Sequence, residues 1–465
     1  MIRDWVRAHP TRSASLAGWF QQLAGMFGAF VSIPFVLKYL PPDQAGLWFT
    51  FQGFLAAVGW TDFGFSFVTS RQVAYSVART SSQLPEANDF IHTRPGWAGI
   101  NEVYQASRVL YLRTLPIGFA VLVALHELVM PRTRLAGMNS AGLTVSWYLL
   151  GIAALLALQS RLNQSVLDGL GLMYITKGVS GTLLILNGLG TIAALHWFRT
   201  LWAASVAVLI VAALQLLVFR TILFRHAKGK LRPTGSPPDK EVLRKLWKVA
   251  VPIGIVGSSA YCVSSIQVPL LGAILGPAAV VPYYLAQRIG QTVGMCVAQL
   301  SQPQLPKFTS ECARGDWRVA GRRMQDTISA VMAAACAGCL VYFVASPSLV
   351  SVWTHSGPYV SPPVLGLMSL EYALLSSAAI WGQFLLAAGS NPFMWSTLMN
   401  GGFNLAGSLF LCYNFGTVGL PLAGLISGSC TNYWYAPYRG LQLRHRLARA
   451  GSEVHATKGT SPNAG

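Results

Sequence analysis

The sequence predicts an all-α polytopic membrane protein, and three observations carry that prediction. Charge is sparse: of 465 residues, 11% are Asp, Glu, Lys or Arg and 53% are hydrophobic, about half the charged fraction of a soluble domain. The mean hydropathy is positive. Uncharged stretches of roughly twenty residues recur about a dozen times, each long enough for a helix to cross ~30 Å of hydrocarbon.

In chain order the expected spans are Ser15–Leu40, Gly46–Ser70, Thr114–Met130, Leu143–Asn163, Gly178–His196 and Leu201–Phe224. A second set follows at Leu246–Leu271, Val280–Pro303, Thr327–Ala345, Pro362–Ala387, Pro392–Tyr413 and Val418–Pro437. Glycine and proline interrupt several of them, which membrane helices tolerate better than soluble ones.

The net charge of +19 is distributed as a topology signal. With the N-terminus inside, one flank collects Arg3, Arg7, Arg12, Arg71, Arg79, Arg94 and Arg108, the run from Arg225 to Lys248, Lys307 to Arg323 and Arg439 to Arg449. The other flank keeps little beyond Lys38, Arg132, Arg134 and Arg199. This asymmetry places both termini in the cytoplasm, and the basic surplus suits anionic phospholipid headgroups rather than nucleic acid. The N-terminal arginines precede an apolar run of full spanning length, not the short core of a cleavable leader.

The seven cysteines lie in the second half. Cys336 and Cys339 sit in a small-residue helical stretch with no second pair to complete a zinc site, so they are expected to pack rather than react. Gly28, Gly53, Gly290 and Gly294 are expected to admit close helix contacts.

The expected organisation is an N-lobe over 1–224, a linker over 225–248, a C-lobe over 249–438 and a basic cytoplasmic tail over 439–465. In the linker, Ser236-Pro237-Pro238-Asp239 reads as a helix start. Val242, Leu243, Leu246 and Trp247 then share one face, the pattern of an amphipathic helix on the inner membrane surface or, alternatively, of a solvated linker helix.

Sliding the second half back by about 235 residues superposes Pro34, Leu40, Pro42 and Gln52 on Pro269, Leu275, Pro277 and Gln287. With about six spans in each half, both halves enter from the same side. The two lobes are then related by a pseudo-two-fold along the membrane normal, an arrangement many transporters share.

The stretch Ile33-Pro34-Phe35-Val36-Leu37-Lys38-Tyr39-Leu40-Pro41-Pro42-Asp43-Gln44-Ala45-Gly46-Leu47-Trp48, followed by Thr61-Asp62-Phe63-Gly64-Phe65, resembles the polysaccharide (O-antigen, oligosaccharide) flippase branch of the multidrug/oligosaccharidyl-lipid/polysaccharide (MOP) exporters. Members begin with a span ending in proline and a second span closing on Asp-Phe-Gly; Pro41 replaces the usual glycine of the turn. The resemblance implies a flippase of the bacterial cytoplasmic membrane. Its cargo would be an undecaprenyl-diphosphate-linked oligosaccharide for surface polysaccharide synthesis, moved by alternating access. It implies no catalysis, cofactor or metal, and a polymerase or glycosyltransferases as partners; without a nucleotide site, energy is expected from an H⁺ or Na⁺ gradient, the membrane potential or product removal.

Five residues are the site candidates. Arg288 lies about nine residues into the eighth span, roughly 13 Å below its outer boundary. A charge at that depth is a functional candidate by default, and family members line their cavity with basic residues. Its guanidinium suits a diphosphate bidentately, or alternatively caps carbonyls of a neighbouring helix. Gln287 and Gln52 occupy matching repeat positions and are expected to hydrogen-bond sugar hydroxyls. Glu371, at mid-span without a cation in sequence reach, is the first ion-coupling candidate. Asp62 is the second, although the recurring Asp-Phe-Gly signature favours a structural role, hydrogen-bonding the chain where the span ends and pairing with Arg71. Arg113 and Arg161 are expected to snorkel to headgroups.

Other function classes fare worse. A membrane glycosyltransferase or polymerase needs a catalytic constellation on a sizeable outer loop, and the expected outer loops are short. Walker A, GxSxG and HExxH motifs are absent from the sequence. A drug/cation antiporter of the same superfamily would place carboxylates in its N-terminal half, whereas the deep Arg288 argues for an anionic cargo. A peptidoglycan-precursor flippase typically has two further spans.

Overall fold

The computed structural model describes residues 10–78, 96–129, 140–231, 240–301, 304–314, 316–354, 360–388 and 393–459. These residues fold as α1 (Pro10–Tyr39), α2 (Pro42–Val58), a 3-10 turn (Gly59–Asp62), α3 (Phe65–Ala78), α4 (Gly96–Val129), α5 (Ser140–Gly169), α6 (Met173–Phe198) and α7 (Leu201–Ala227). The second part continues as α8 (Lys240–Ser264), α9 (Gln267–Ile274), α10 (Pro277–Ser301), α11 (Gln304–Arg314), α12 (Trp317–Thr354) and α13 (Pro362–Ala387). It ends with α14 (Met394–Phe415), a second 3-10 turn (Gly416–Val418), α15 (Gly419–Cys430) and α16 (Asn432–Gly459). Among the described residues there is no strand, and nine stretches are long and apolar enough to cross a membrane. The protein is therefore an all-α, multi-pass membrane protein.

Several expected spans are broken rods, and the breaks follow from the residues. The span expected at Gly46–Ser70 divides at the 3-10 turn, after which Phe63 and Gly64 both take positive φ. Gly64 adopts that conformation without the steric penalty Phe63 carries. The seventh span divides at Ser265 and Ile266, between α8 and α9. The basic segment also differs from expectation. Residues 232–239, including the proposed Ser236 helix start, lie outside the described residues. From Lys240 onward the chain is the first turn of one continuous helix that runs to Ser264, not a separate surface helix. Val242 and Leu246 are buried in a core with Phe65, Tyr111, Leu162 and Phe219, so the apolar face has a protein partner in place of a membrane surface.

The chain forms two compact units: Met1–Tyr261 with Leu271–Val281, and Cys262–Leu270 with Pro282–Gly465. In the first unit, α1 packs along α6 with almost no side chain between them at Gly28 and Gly188. A Cβ on Gly188 would stand 2.9 Å from the Gly28 Cα, and one on Gly28 would stand 2.9 Å from the Leu184 carbonyl oxygen. Small residues are the usual means of close approach where lipid weakens the hydrophobic drive between helices. The two proline turns of the repeat also meet here: a Cβ on Gly46 would overlap the carbonyl of Pro277, and Gly272 lies against Thr50. Trp147 is fully buried, edge-on to Phe51 and Phe54, and its indole N–H donates to the Leu122 carbonyl at 3.2 Å.

In the second unit, amphipathic α11 lays Phe308 edge-on to Phe384 at 4.9 Å, in a core with Val297, Met324 and Ile328. Arg323 of α12 clamps α11 through Glu311 at 2.6 Å and Gln304 at 3.0 Å. The cysteines are free; Cys336 is exposed and Cys339 buried.

Candidate functional site

The break between α8 and α9 organises the richest polar cluster. Interrupting a helix at Ser265–Ile266 leaves carbonyls of the preceding turn without backbone donors, and in hydrocarbon such groups must be satisfied from elsewhere. Four amide side chains supply the donors. The carbonyl of Ser264 receives Nε2 of Gln287 at 3.1 Å and of Gln291 at 3.3 Å. The carbonyl of Val263 receives Nδ2 of Asn404 at 3.2 Å and Nε2 of Gln267 at 3.5 Å. Ser408 holds Asn404 in place by donating to its Oδ1 at 2.9 Å.

Gln267 joins this cluster to Glu371. Its Oε1 accepts from the Tyr283 hydroxyl at 2.8 Å and from Gln287 at 3.3 Å, and its side chain also hydrogen-bonds Glu371. Tyr283, Gln287, Gln291 and Gly294 recur at helical spacing along one face of α10. On α13, Glu371 is buried against Gly424 of α15, while its neighbour Tyr372 donates to the Gln287 carbonyl at 3.2 Å. Gly290 makes room for the Tyr372 ring, which a Cβ there would overlap.

Beside the cluster is a cavity of about 400 Å³, lined by Ser264, Ser265, Gln291, Ser301, Tyr372 and Gln383 among apolar neighbours. Its lining holds no charged side chain. Gly294 lines this cavity and has nothing within 4 Å of a built Cβ, so it does not serve the helix contact expected of it.

Arg288 follows Gln287 on α10. It is half-buried, and its Nε is enclosed with no hydrogen-bond partner among the described residues. Gln287 is buried and committed to the Ser264 carbonyl, so Gln291, one turn on, is the amide that reaches the cavity wall. Gln52, its repeat counterpart, is half-buried on α2. Glu371 has no basic side chain within ion-pair distance among the described residues.

Asp62 sits in the first unit, where the 3-10 turn ends. It is buried and accepts from the Tyr111 hydroxyl and, at 2.6 Å, from Ser66. Arg161, expected to snorkel, donates to the Gly59 carbonyl of the same turn at 3.2 Å. On the far side the turn is closed by Gly254, where a Cβ would stand 2.7 Å from the Cα of Phe63. The Asp-Phe-Gly segment is thus a pinned break in a helix.

Sequence reasoning missed Gln267, Gln291, Asn404 and Tyr372. A signal for Gln291 was present, since Gln287 and Gln291 stand one turn apart inside an otherwise apolar span. Among the described residues no group of three or more His, Cys, Asp or Glu side chains gathers to hold a metal.

Comparison with known proteins gives the following. The family model of the lipid II flippase MurJ matches residues 177–361, which include Arg288 and most of the cavity wall. No curated protein matches the sequence. Among solved structures, an inward-facing multidrug-resistance transporter of the MATE family, MOP superfamily, superposes with a TM-score of 0.68 at 15% identity, covering 96% of this chain and 99% of that one. A MOP superfamily transporter from Pyrococcus furiosus, described as having a binding pocket of reversed polarity, gives 0.64 at 15% identity over 95% and 97%. A MATE transporter in a bent conformation gives 0.61 at 14% identity over 95% and 98%. The chain therefore has the fold of MATE-type transporters of the MOP superfamily.

Proposed function

We propose that this protein is a flippase that moves an undecaprenyl-diphosphate-linked oligosaccharide across the bacterial cytoplasmic membrane by alternating access, for surface polysaccharide synthesis. The observation that carries the reading is the half-buried Arg288 of α10, whose enclosed Nε has no hydrogen-bond partner among the described residues. An uncompensated guanidinium donor at membrane depth is unfavourable unless a ligand supplies the acceptor. A diphosphate supplies acceptors that suit its planar fork, and the amides and hydroxyls suit sugar. The match to the lipid II flippase model over 177–361 supports a lipid-linked cargo.

In this reading Arg288 binds the diphosphate; Gln287, expected to meet sugar, instead holds the Ser264 carbonyl, and Gln52 is proposed for sugar binding within the first unit. Glu371 couples transport to H⁺ or Na⁺, with Asp62 a second coupling candidate. The lobes, expected at 1–224 and 249–438 with a linker at 225–248, are taken as the two compact units described above, and the termini as cytoplasmic. Glycosyltransferases and a polymerase are the expected partners. The test is translocation of a fluorescent polyprenyl-diphosphate oligosaccharide by the purified chain in proteoliposomes. The flippase reading requires transport above protein-free vesicles; transport of cationic drugs with no lipid-linked cargo would replace it by the antiporter.

A further inference from the structure

A second site stands at the start of α12, beside Leu300 of α10. Two adjoining cavities share Arg322 and Asp326. One, of about 520 Å³, is a polar cleft between α12 and α16, lined by Trp317, Arg318, Arg322 and Arg444. The other, of about 420 Å³, is a slot in which Leu300, Val319 and Ala330 face Gln304, Arg323 and Thr327. The arginines are not used elsewhere. Arg323 is spent on Glu311 and Gln304, but Arg318, Arg322 and Arg444 are exposed and make no ion pair among the described residues. Asp326 is the single carboxylate of the cleft, leaving it net positive.

Arg318 and Arg322 are one turn apart and so project on the same side of α12, with Arg444 arriving from α16. Next to them Val319 is 52% and Leu300 45% exposed, an apolar lip beside a cationic cleft. A free anion would need the cleft and leave the slot empty; a lipid uses both. The charge complements one phosphate, and Leu300, Val319 and Ala330 give the slot an apolar side where a chain would leave the headgroup.

We propose that this joined cavity seats an anionic glycerophospholipid of the surrounding bilayer, its phosphate among Arg318, Arg322 and Arg444 and one acyl chain against Leu300, Val319 and Ala330. The site is distinct from the Arg288 cluster and does not depend on which cargo the protein carries.

The experiment uses the full chain purified in a mild detergent, with lipid retention read by native mass spectrometry and the unfolding midpoint by a thermal scan. Dioleoyl phosphatidylglycerol should bind and raise the midpoint, while dioleoyl phosphatidylcholine should do neither. Arg318→Gln with Arg322→Gln should weaken phosphatidylglycerol binding roughly 25-fold, about fivefold for each arginine. Lys228→Gln, a control in the first unit, should leave it unchanged. Val319→Trp keeps every charge but fills the slot, and should also weaken binding. Equal binding of the two lipids by the unaltered protein overturns the proposal without recourse to any variant. So does undiminished binding by Val319→Trp, which would leave a bare anion site. Full displacement of the phospholipid by inorganic phosphate, or by polyprenyl diphosphate at equimolar amounts, would assign the cleft to those ligands instead.

Discussion

Gly424 leaves the space that the carboxylate of Glu371 fills: a Cβ at position 424 would overlap Oε1. The glycine is thus what lets a buried acid lie between α13 and α15. Gly424→Ala is expected to lower stability by about 1–3 kcal/mol, the usual range for overpacking. Removing the carboxylate should relieve the clash, so Gly424→Ala with Glu371→Ala should be less destabilised than the two single changes added. Thermal unfolding of the four proteins checks this, and simple additivity would contradict the contact.

The same acid is the expected coupling group. Glu371→Gln keeps the shape and the hydrogen bond to Gln267 while removing the ionisable oxygen. Abundance should be retained, and the dependence of transport on pH or Na⁺ in proteoliposomes should weaken. An unchanged ion dependence would remove Glu371 from the mechanism.

Tyr111→Phe should act through the fold. It takes one donor from the buried Asp62 carboxylate at the broken second span, and stranding a buried acceptor costs about 1–3 kcal/mol. The expected result is a lower unfolding midpoint with ion dependence intact. A normal midpoint with altered ion dependence would move Asp62 from structure to coupling.

Orientation is tested at the basic segments. Cysteines introduced singly at Ser82 and Ser236 in a cysteine-free background should resist a membrane-impermeant thiol reagent in intact cells and react after permeabilisation. Ready labelling in intact cells would invert the topology.

The membrane fold was legible because its cause is local: apolar length and the spacing of Lys and Arg. The Asp-Phe-Gly break was legible as a motif, and its reason became visible only with Tyr111, Arg161 and Gly254 around it. The polar cluster was half legible. Arg288, Gln287 and Glu371 stand out as polar residues in apolar spans, and Pro269, which cannot bond the Ser265 carbonyl, marks the break at Ser265–Ile266. The donor that completes it, Asn404, comes from 141 residues away, a pairing no local pattern encodes. Val242 and Leu246 show the converse. Their amphipathic spacing was read correctly, but spacing alone does not say whether the partner of an apolar face is lipid or protein.

The most direct measurement of the central claim is the translocation of a polyprenyl-diphosphate oligosaccharide by Arg288→Ala and Arg288→Lys, with abundance and unfolding midpoint taken on the same samples. The account predicts an abundant, stable Arg288→Ala protein that does not translocate. Arg288→Lys should recover only part of the rate, since an ammonium keeps the charge and loses the bidentate fork. An Arg288→Ala protein that is well folded and translocates normally would contradict the account. One that is depleted or unstable while retaining its rate per molecule would instead make Arg288 a carbonyl cap.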